Sequence, residues 1–300
     1  MTARDGQTIV SARRSRWVAY VNLVKLPHTV FLLPFALVGA TWATAVAPIT
    51  PSALAGVVIA FTAARFAAMG FNRIVDREYD ARNPRTAGRE LPRGVLPLWE
   101  ARLAVGIASI VFLGAAWWLA PLCGALAPIA LAWIFFYSYT KRFTRWSHLV
   151  LGVGLAIAPV GGYLAIAGRW SEPWWMLVAL AVGVAAWSGG FDILYALQDA
   201  AFDREARLHS MPAALGEARA IRLARVLHVV AVTALAVAGV AAGAGWIYAL
   251  GVAVTAALLL YEHTLVHPTD LSRLDAAFFT MNGVISIVFF GFVLAARLAR

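Results

Sequence analysis

Nine stretches of this chain are long and apolar enough to cross a lipid bilayer, and that feature leaves few folds open to it. They run approximately over 28–47, 52–71, 103–120, 121–139, 148–167, 173–191, 225–243, 245–262 and 274–297. A helix needs about 20 apolar residues to span the hydrocarbon layer. The expected fold is therefore all-α, a polytopic membrane bundle of about nine helices. Composition agrees: 62% of the 300 residues are hydrophobic and 13% charged, about half the charge that a soluble surface carries. The softest boundary is Pro121, where two spans share one apolar run. Glycine and proline inside spans, as in APVGGY (158–163), are tolerated in membrane helices. The single cysteine, Cys123, lies within an apolar run and reads as packing, which excludes a disulfide framework.

The net charge of +10 raises the question of nucleic acid, but the placement of the charge answers it. Of the 25 basic residues, all but Arg65, Arg169, Arg297 and Arg300 fall in the N-terminal tail or in the segments after helices 2, 4, 6 and 8. This is the positive-inside pattern and predicts a cytoplasmic N-terminus. Trp17, Trp99, Trp146, Trp170, Trp174 and Trp246 stand near span ends, as an interfacial belt requires. Residues 1–16 are polar and basic without an apolar signal core, and read as a disordered tail ahead of one membrane domain, 17–300.

The run Pro51–Gly70 is almost wholly apolar, yet FNRIVDREYDARNPRT (71–86) follows it at once. On a helix Asn72, Asp76 and Asp80, four residues apart, share a face. A second group, Asp192, Asp199 and Asp203, lies in GFDILYALQDAAFD (190–203). Each group sits where a helix, the second or the sixth, leaves the membrane on the cytoplasmic side. The equivalent placement four helices apart suggests two pseudo-equivalent four-helix units facing each other. Facing carboxylates repel unless a hard cation lies between them, and magnesium commonly takes one or two carboxylates together with substrate phosphate oxygens. Arg85, Arg89, Lys141 and Arg142 supply what a diphosphate needs beyond the metal. A solvated helix end is the plainer account of one DxxxD, and a weaker account of two at matching places.

Arg65 lies inside the second span, two turns before Asn72 and on nearly the same face. A buried arginine needs an anionic partner. Glu262 and Asp275 are the nearest structural carboxylates by sequence; the sharper reading is a bound substrate carboxylate.

NRIVDREYD with ARNPRTAGRELPRG, YSYTKRFT (137–144) and DILYALQDAAFD together resemble the signatures and basic loop of the UbiA-type intramembrane prenyltransferases, over essentially the whole chain. The resemblance implies a magnesium-dependent polyprenyltransferase of the bacterial cytoplasmic membrane with its site facing the cytoplasm. It would transfer a polyprenyl group from its diphosphate to an aromatic acid, 4-hydroxybenzoate or a dihydroxynaphthoate, in ubiquinone or menaquinone synthesis. It implies that Asn72, Asp76, Asp80, Asp199 and Asp203 hold magnesium and diphosphate, that Lys141 and Arg142 are the family's basic pair, and that Arg65 matches an arginine preceding the first motif. Arg73 stands where many 4-hydroxybenzoate enzymes carry an acid, and RLHS (207–210) where they carry Gly-x-Lys-Ser. With YEH at 261–263, these departures resemble a branch linked to menaquinone made through futalosine. They bear on the acceptor, not on the reaction type.

Tyr139 and Tyr195, each beside a charged motif, are further candidates to bond diphosphate or to face the developing allylic cation with their rings, with packing the alternative. Asp192 or Asp80 is placed to polarise the phenol. His28, His148 and His228 read as interfacial or packing residues. The expected partners are the two substrates and the bilayer, without nucleic acid or an obligate protein partner. Two rivals remain. A secondary transporter for an anionic substrate would carry its polar groups nearer mid-span. A CDP-alcohol phosphotransferase would need a compact DG…AR…G…D…D run that the chain lacks.

Overall fold

The computed structural model describes residues 18–24, 32–267, 271, 273–274 and 280–300. The expected tail, 1–16, lies outside these residues, as do Trp17, His28 and Asp275. Seven described helices are long and apolar enough to cross a membrane: α2 (Pro51–Val75), α4 (Leu98–Leu119), α5 (Pro121–Thr140), α6 (Ser147–Ala167), α7 (Trp175–Tyr195, continued by short helical turns to Glu205), α10 (Glu217–Ala241) and α11 (Gly245–Thr264). Two shorter apolar helices, α1 (Leu33–Ala43) and α12 (Asn282–Leu298), fall on the first and ninth expected spans. Short helices α3 (Arg77–Arg82), α8 (Ala200–Glu205) and α9 (Met211–Leu215) lie between them. The chain is an integral membrane protein.

Local sequence sets the breaks. Thr50 caps α2, its hydroxyl accepting from the Ala53 amide (3.1 Å), and Pro51 fills the first turn, where its missing N–H costs nothing. At the soft boundary the chain does divide: α4 stops at Leu119, Ala120 is extended, and Pro121 opens α5. Gly168 (φ 66°) terminates α6 in the left-handed conformation that glycine adopts without penalty. α10 begins at Glu217, earlier than the hydropathy boundary of 225, because its first turns carry Arg219, Arg222 and Arg225 beyond the apolar stretch.

Apolar side chains gain nothing by leaving lipid for one another, so close backbone approach decides which membrane helices pair. α1 crosses α6 at Gly39 and Gly162. A Cβ on Gly39 would lie 1.8 Å from the Pro159 carbonyl oxygen, and one on Gly162 2.0 Å from that of Ala36. α7 packs on α6 and α10, α2 on α4, and α12 on α11 and α1. The main core lies between α1, α6, α7, α10, α11 and α12, where the Phe35 ring sits 4.8 Å from that of Trp187 and 5.8 Å from that of Phe289. Arg297, one of the exceptions to the charge rule, donates to Thr44 Oγ1 (2.8 Å) and ties α12 to the end of α1. The five tryptophans of the expected belt that are described, Trp99, Trp146, Trp170, Trp174 and Trp246, are all exposed.

Candidate active site

Where the apolar pattern of α2 ends, so does the helix. Asp76 (φ −90°, ψ 5°) interrupts it and α3 restarts at Arg77. The Asp76 amide still reaches the Asn72 carbonyl (2.9 Å) and the Asp80 amide that of Asp76 (2.8 Å), so the three side chains keep to one side. The second signature repeats the device. α7 ends at Tyr195, a 3-10 turn carries Ala196–Asp199, and Asp199 (φ −100°, ψ 0°) precedes α8. The continuous helical face expected from sequence is thus broken at a corresponding aspartate in both motifs, each in the sparsely occupied bridge region.

Both motifs line one cavity of about 730 Å³, and every candidate named above lines it except Tyr139. Beyond the polar end its walls are apolar, with Phe112 of α4, Leu126, Ile129 and Trp133 of α5, and Leu151 and Ile157 of α6.

Each motif aspartate has a basic partner. Arg85 grips Asp199 through Nε (2.8 Å to Oδ1) and Nη2, and its Nη1 donates to the Tyr195 hydroxyl (3.0 Å). Arg89 Nη1 donates to Asp80 Oδ1 (2.6 Å). Arg142 Nη2 reaches Asp76 Oδ1 (3.3 Å) and the Val75 carbonyl (2.9 Å). Lys141 Nζ stands 3.5 Å from Asp203 Oδ2. Arg85 and Arg89 follow the first motif, so the pair Arg85–Asp199 bridges the two. Burial, with the nearby charge of Asp80, pushes the Asp76 carboxyl up to about 6 against the opposing pull of Arg142 and Lys141. Burial alone would lower Lys141, but Asp203, Asp192, Asp199 and Asp76 outweigh it and hold its ammonium form above the usual lysine range. For Arg85, too, the Asp199 hydrogen bonds overcome the effect of burial.

Tyr139 is a correction. It is exposed at the rim, with the Arg142 guanidinium 5.1 Å from its ring centroid and Phe71 edge-on at 6.0 Å, so it braces Arg142 from outside. Tyr137 lines the cavity in its place. His148 is a second correction. Instead of merely packing, its Nδ1 lies 2.7 Å from Asp192 Oδ2. His228 does pack, against Gly190 and 3.0 Å from His263 Nε2. Glu262 is buried in α11 and is not paired with Arg65; among the described residues no carboxylate is, and Arg65 Nε is buried without a hydrogen-bond partner.

Sequence reasoning also missed Asn83, whose amide donates to Asp199 Oδ1 (2.9 Å) while its oxygen accepts from the Arg85 backbone (3.0 Å). The only local signal is the Asn-Pro step that opens the loop. Tyr79, stacked beneath Arg142 at 5.4 Å, was missed as well.

Among the described residues no three Asp, Glu, His or Cys side chains are drawn together as a closed metal site. The donor set nonetheless fits a hard divalent cation. It offers four carboxylates and the Asn72 amide oxygen on facing walls, and Asp80 Oδ2 is buried without a partner. An open set of this kind suits magnesium, which retains water and shares substrate phosphate oxygens.

Fold and site together define a class, the membrane-embedded helical protein whose charged site closes one end of an apolar cavity. The chain belongs to the UbiA prenyltransferase family, whose pattern matches residues 32–284, and it is a prenyltransferase. It is 28% identical to a 4-hydroxybenzoate octaprenyltransferase of Alkalilimnicola ehrlichii, over 95% of this chain and 97% of that one. It is 27% identical to a protein of the same description from Aromatoleum aromaticum, over 93% and 95%. The apo structure of a UbiA homolog from Aeropyrum pernix K1 superposes with a TM-score of 0.81 at 30% identity, covering 90% of this chain and 98% of that one. A UbiA homolog from Archaeoglobus fulgidus, bound to DMAPP and Mg2+, shares the fold with a TM-score of 0.72 at 19% identity, covering 94% and 99%. The transporter and phosphotransferase alternatives fall with these findings.

Proposed function

We propose that this enzyme transfers a polyprenyl group from polyprenyl diphosphate to an aromatic acid bearing a hydroxyl, 4-hydroxybenzoate or a dihydroxynaphthoate, in ubiquinone or menaquinone synthesis. The observation that carries this reading is one cavity in which Arg65, its Nε unpartnered, lies two turns below a doubled aspartate motif. The names of the curated relatives support the acceptor class, and the ligands of the Archaeoglobus homolog support the donor class and the metal.

Asn72, Asp76, Asp80, Asp199 and Asp203 would hold magnesium, which would supply neutralising charge to the departing diphosphate. Arg85, Arg89, Lys141 and Arg142 take the diphosphate oxygens, with Tyr195 beside Arg85, so that positive charge is in place where negative charge develops. The prenyl chain lies along the apolar walls, with its first carbon at the polar end. Arg65 holds the acid's carboxylate bidentately and so sets the ring beneath that carbon. By the placement of basic loops the site faces the cytoplasm of a bacterial inner membrane.

The test is to incubate purified protein with magnesium, a prenyl diphosphate and competing aromatic acids, and to identify products by mass. A magnesium-dependent product equal in mass to one acid plus the prenyl group less a hydrogen is expected. No prenylated acid from any acceptor would contradict the proposal.

A further inference from the structure

Behind the polar wall of the cavity stands a side chain that this reading has not used. His148, in the first turn of α6, is fully buried and is not itself on the cavity surface. Its Nδ1 lies 2.7 Å from Asp192 Oδ2, and its Nε2 accepts from the Met211 backbone N–H (3.2 Å). An amide N–H can only donate, so Nε2 presents its lone pair and the ring proton sits on Nδ1, donated to Asp192.

The surroundings fix this arrangement. Met211 opens α9, where first-turn amides have no partner within the helix. Ser210 caps that turn, accepting from the Ala213 amide (3.3 Å). The His209 amide donates to the Lys141 carbonyl (2.6 Å) and pins the segment to the end of α5. This is the RLHS stretch, and the Met211 N–H that follows it stands behind the imidazole.

Asp192 stands two turns before Asp199 on α7, just as Arg65 stands two turns before Asn72 on α2, and both line the cavity. Below the diphosphate end there is thus one cation from one motif helix and one carboxylate from the other. With Oδ2 held by the imidazole, Oδ1 is the oxygen left to accept a ligand hydroxyl.

We propose that His148 is a positioning residue that fixes Asp192 as acceptor of the phenolic proton, opposite the carboxylate held by Arg65. This rests on the reading that the substrate is a hydroxylated aromatic acid. The ring carbon ortho to the hydroxyl bonds to the first prenyl carbon while the carbon–oxygen bond to diphosphate breaks, its electron pair leaving with diphosphate. The phenolic proton passes to Asp192, leaving a ring ketone. Loss of the proton at the substituted carbon to water restores the aromatic ring, and the proton on Asp192 returns to the ring oxygen, so one proton is released per turnover.

Four variants test this: His148→Leu, His148→Gln, Asp192→Asn and the double variant His148→Leu/Asp192→Asn. The readouts are kcat and KM for each substrate, with magnesium-dependent binding of a non-reacting prenyl thiolodiphosphate reporting an intact diphosphate site. His148→Leu and Asp192→Asn should each lower kcat about 100-fold or more, the scale of lost general base catalysis. KM for prenyl diphosphate should stay within about 3-fold. The double variant should fall no more than about 3-fold below Asp192→Asn, because His148 acts through that carboxylate. His148→Gln, whose amide can accept from Met211 and donate to Asp192, should keep kcat within about 10-fold of the wild type. An unchanged kcat in His148→Leu, or the same further loss in both backgrounds, overturns the proposal. If His148→Leu fails to bind the thiolodiphosphate, His148→Gln decides: retained kcat supports the role, and a loss equal to that of Asp192→Asn overturns it. A wild-type chain that prenylates no aromatic acid overturns the function proposed above and this inference with it.

Discussion

Asp76 and Asp199 occupy the same position in two separate helix breaks. Each stands at the end of a helical stretch with nearly the same backbone geometry (φ −90°, ψ 5° and φ −100°, ψ 0°), and a short helix restarts at the next residue. Each is then followed four residues on by a buried aspartate, Asp80 or Asp203. The repeated break turns two carboxylates per motif towards one cavity. Their partners match in kind, Arg142 and the Asn72 amide for Asp76, Arg85 and the Asn83 amide for Asp199, so the two halves are alike in backbone and in the groups that hold them.

Arg65 is expected to decide which acceptors are used. Arg65→Lys keeps the charge but loses the planar fork, and should raise KM for the aromatic acid far more than for prenyl diphosphate. Arg65→Ala should cost about 3–5 kcal/mol of transition-state binding for the acid, the scale of a broken buried ion pair, and much less for the corresponding ester. Kinetics on acid and ester check this; equal losses for both would mean that Arg65 serves the diphosphate or the fold.

The α1–α6 crossing should resist even a single methyl group. Gly39→Ala and Gly162→Ala each drive a Cβ into a carbonyl of the other helix, and should destabilise the protein by about 1–3 kcal/mol. Gly161→Ala, one residue away, meets nothing within 4 Å and should be neutral. Thermal unfolding in detergent compares the three, and similar midpoints for Gly161→Ala and Gly162→Ala would count against the close approach.

Orientation can be read by labelling. In a Cys123→Ala background, Gly88→Cys should react with a membrane-impermeant thiol reagent from the cytoplasmic side and Arg169→Cys from the other. Reaction of both from one side would break the proposed topology.

Much of this was legible in the sequence because hydropathy and i, i+4 spacing are local properties. The spans, the split at Pro121 and both aspartate motifs needed nothing else. Spacing alone did not separate Tyr139 from Tyr137: each precedes a basic site residue at helical spacing, Tyr139 before Arg142 and Tyr137 before Lys141, and only the packing puts Tyr137 on the cavity wall and Tyr139 outside it. His148, Asn83 and Met211 were beyond reach for a different reason. Their partners lie on other elements, and Met211 acts through its backbone, which its side chain does not advertise. The length of α10 was missed because a charged turn continues a helix past the apolar run that defines a span.

The central claim is that the two motifs together clamp magnesium and diphosphate, and its most direct measurement is magnesium-dependent binding of a prenyl thiolodiphosphate to wild type, Asp76→Ala and Asp199→Ala, with turnover measured in parallel. Chelation should abolish binding and turnover in the wild type. Each variant should lose about 1000-fold or more in kcat/KM, equivalent to about 4 kcal/mol, while its unfolding midpoint remains close to that of the wild type. Full turnover in either variant, or in the presence of chelator, would contradict the account.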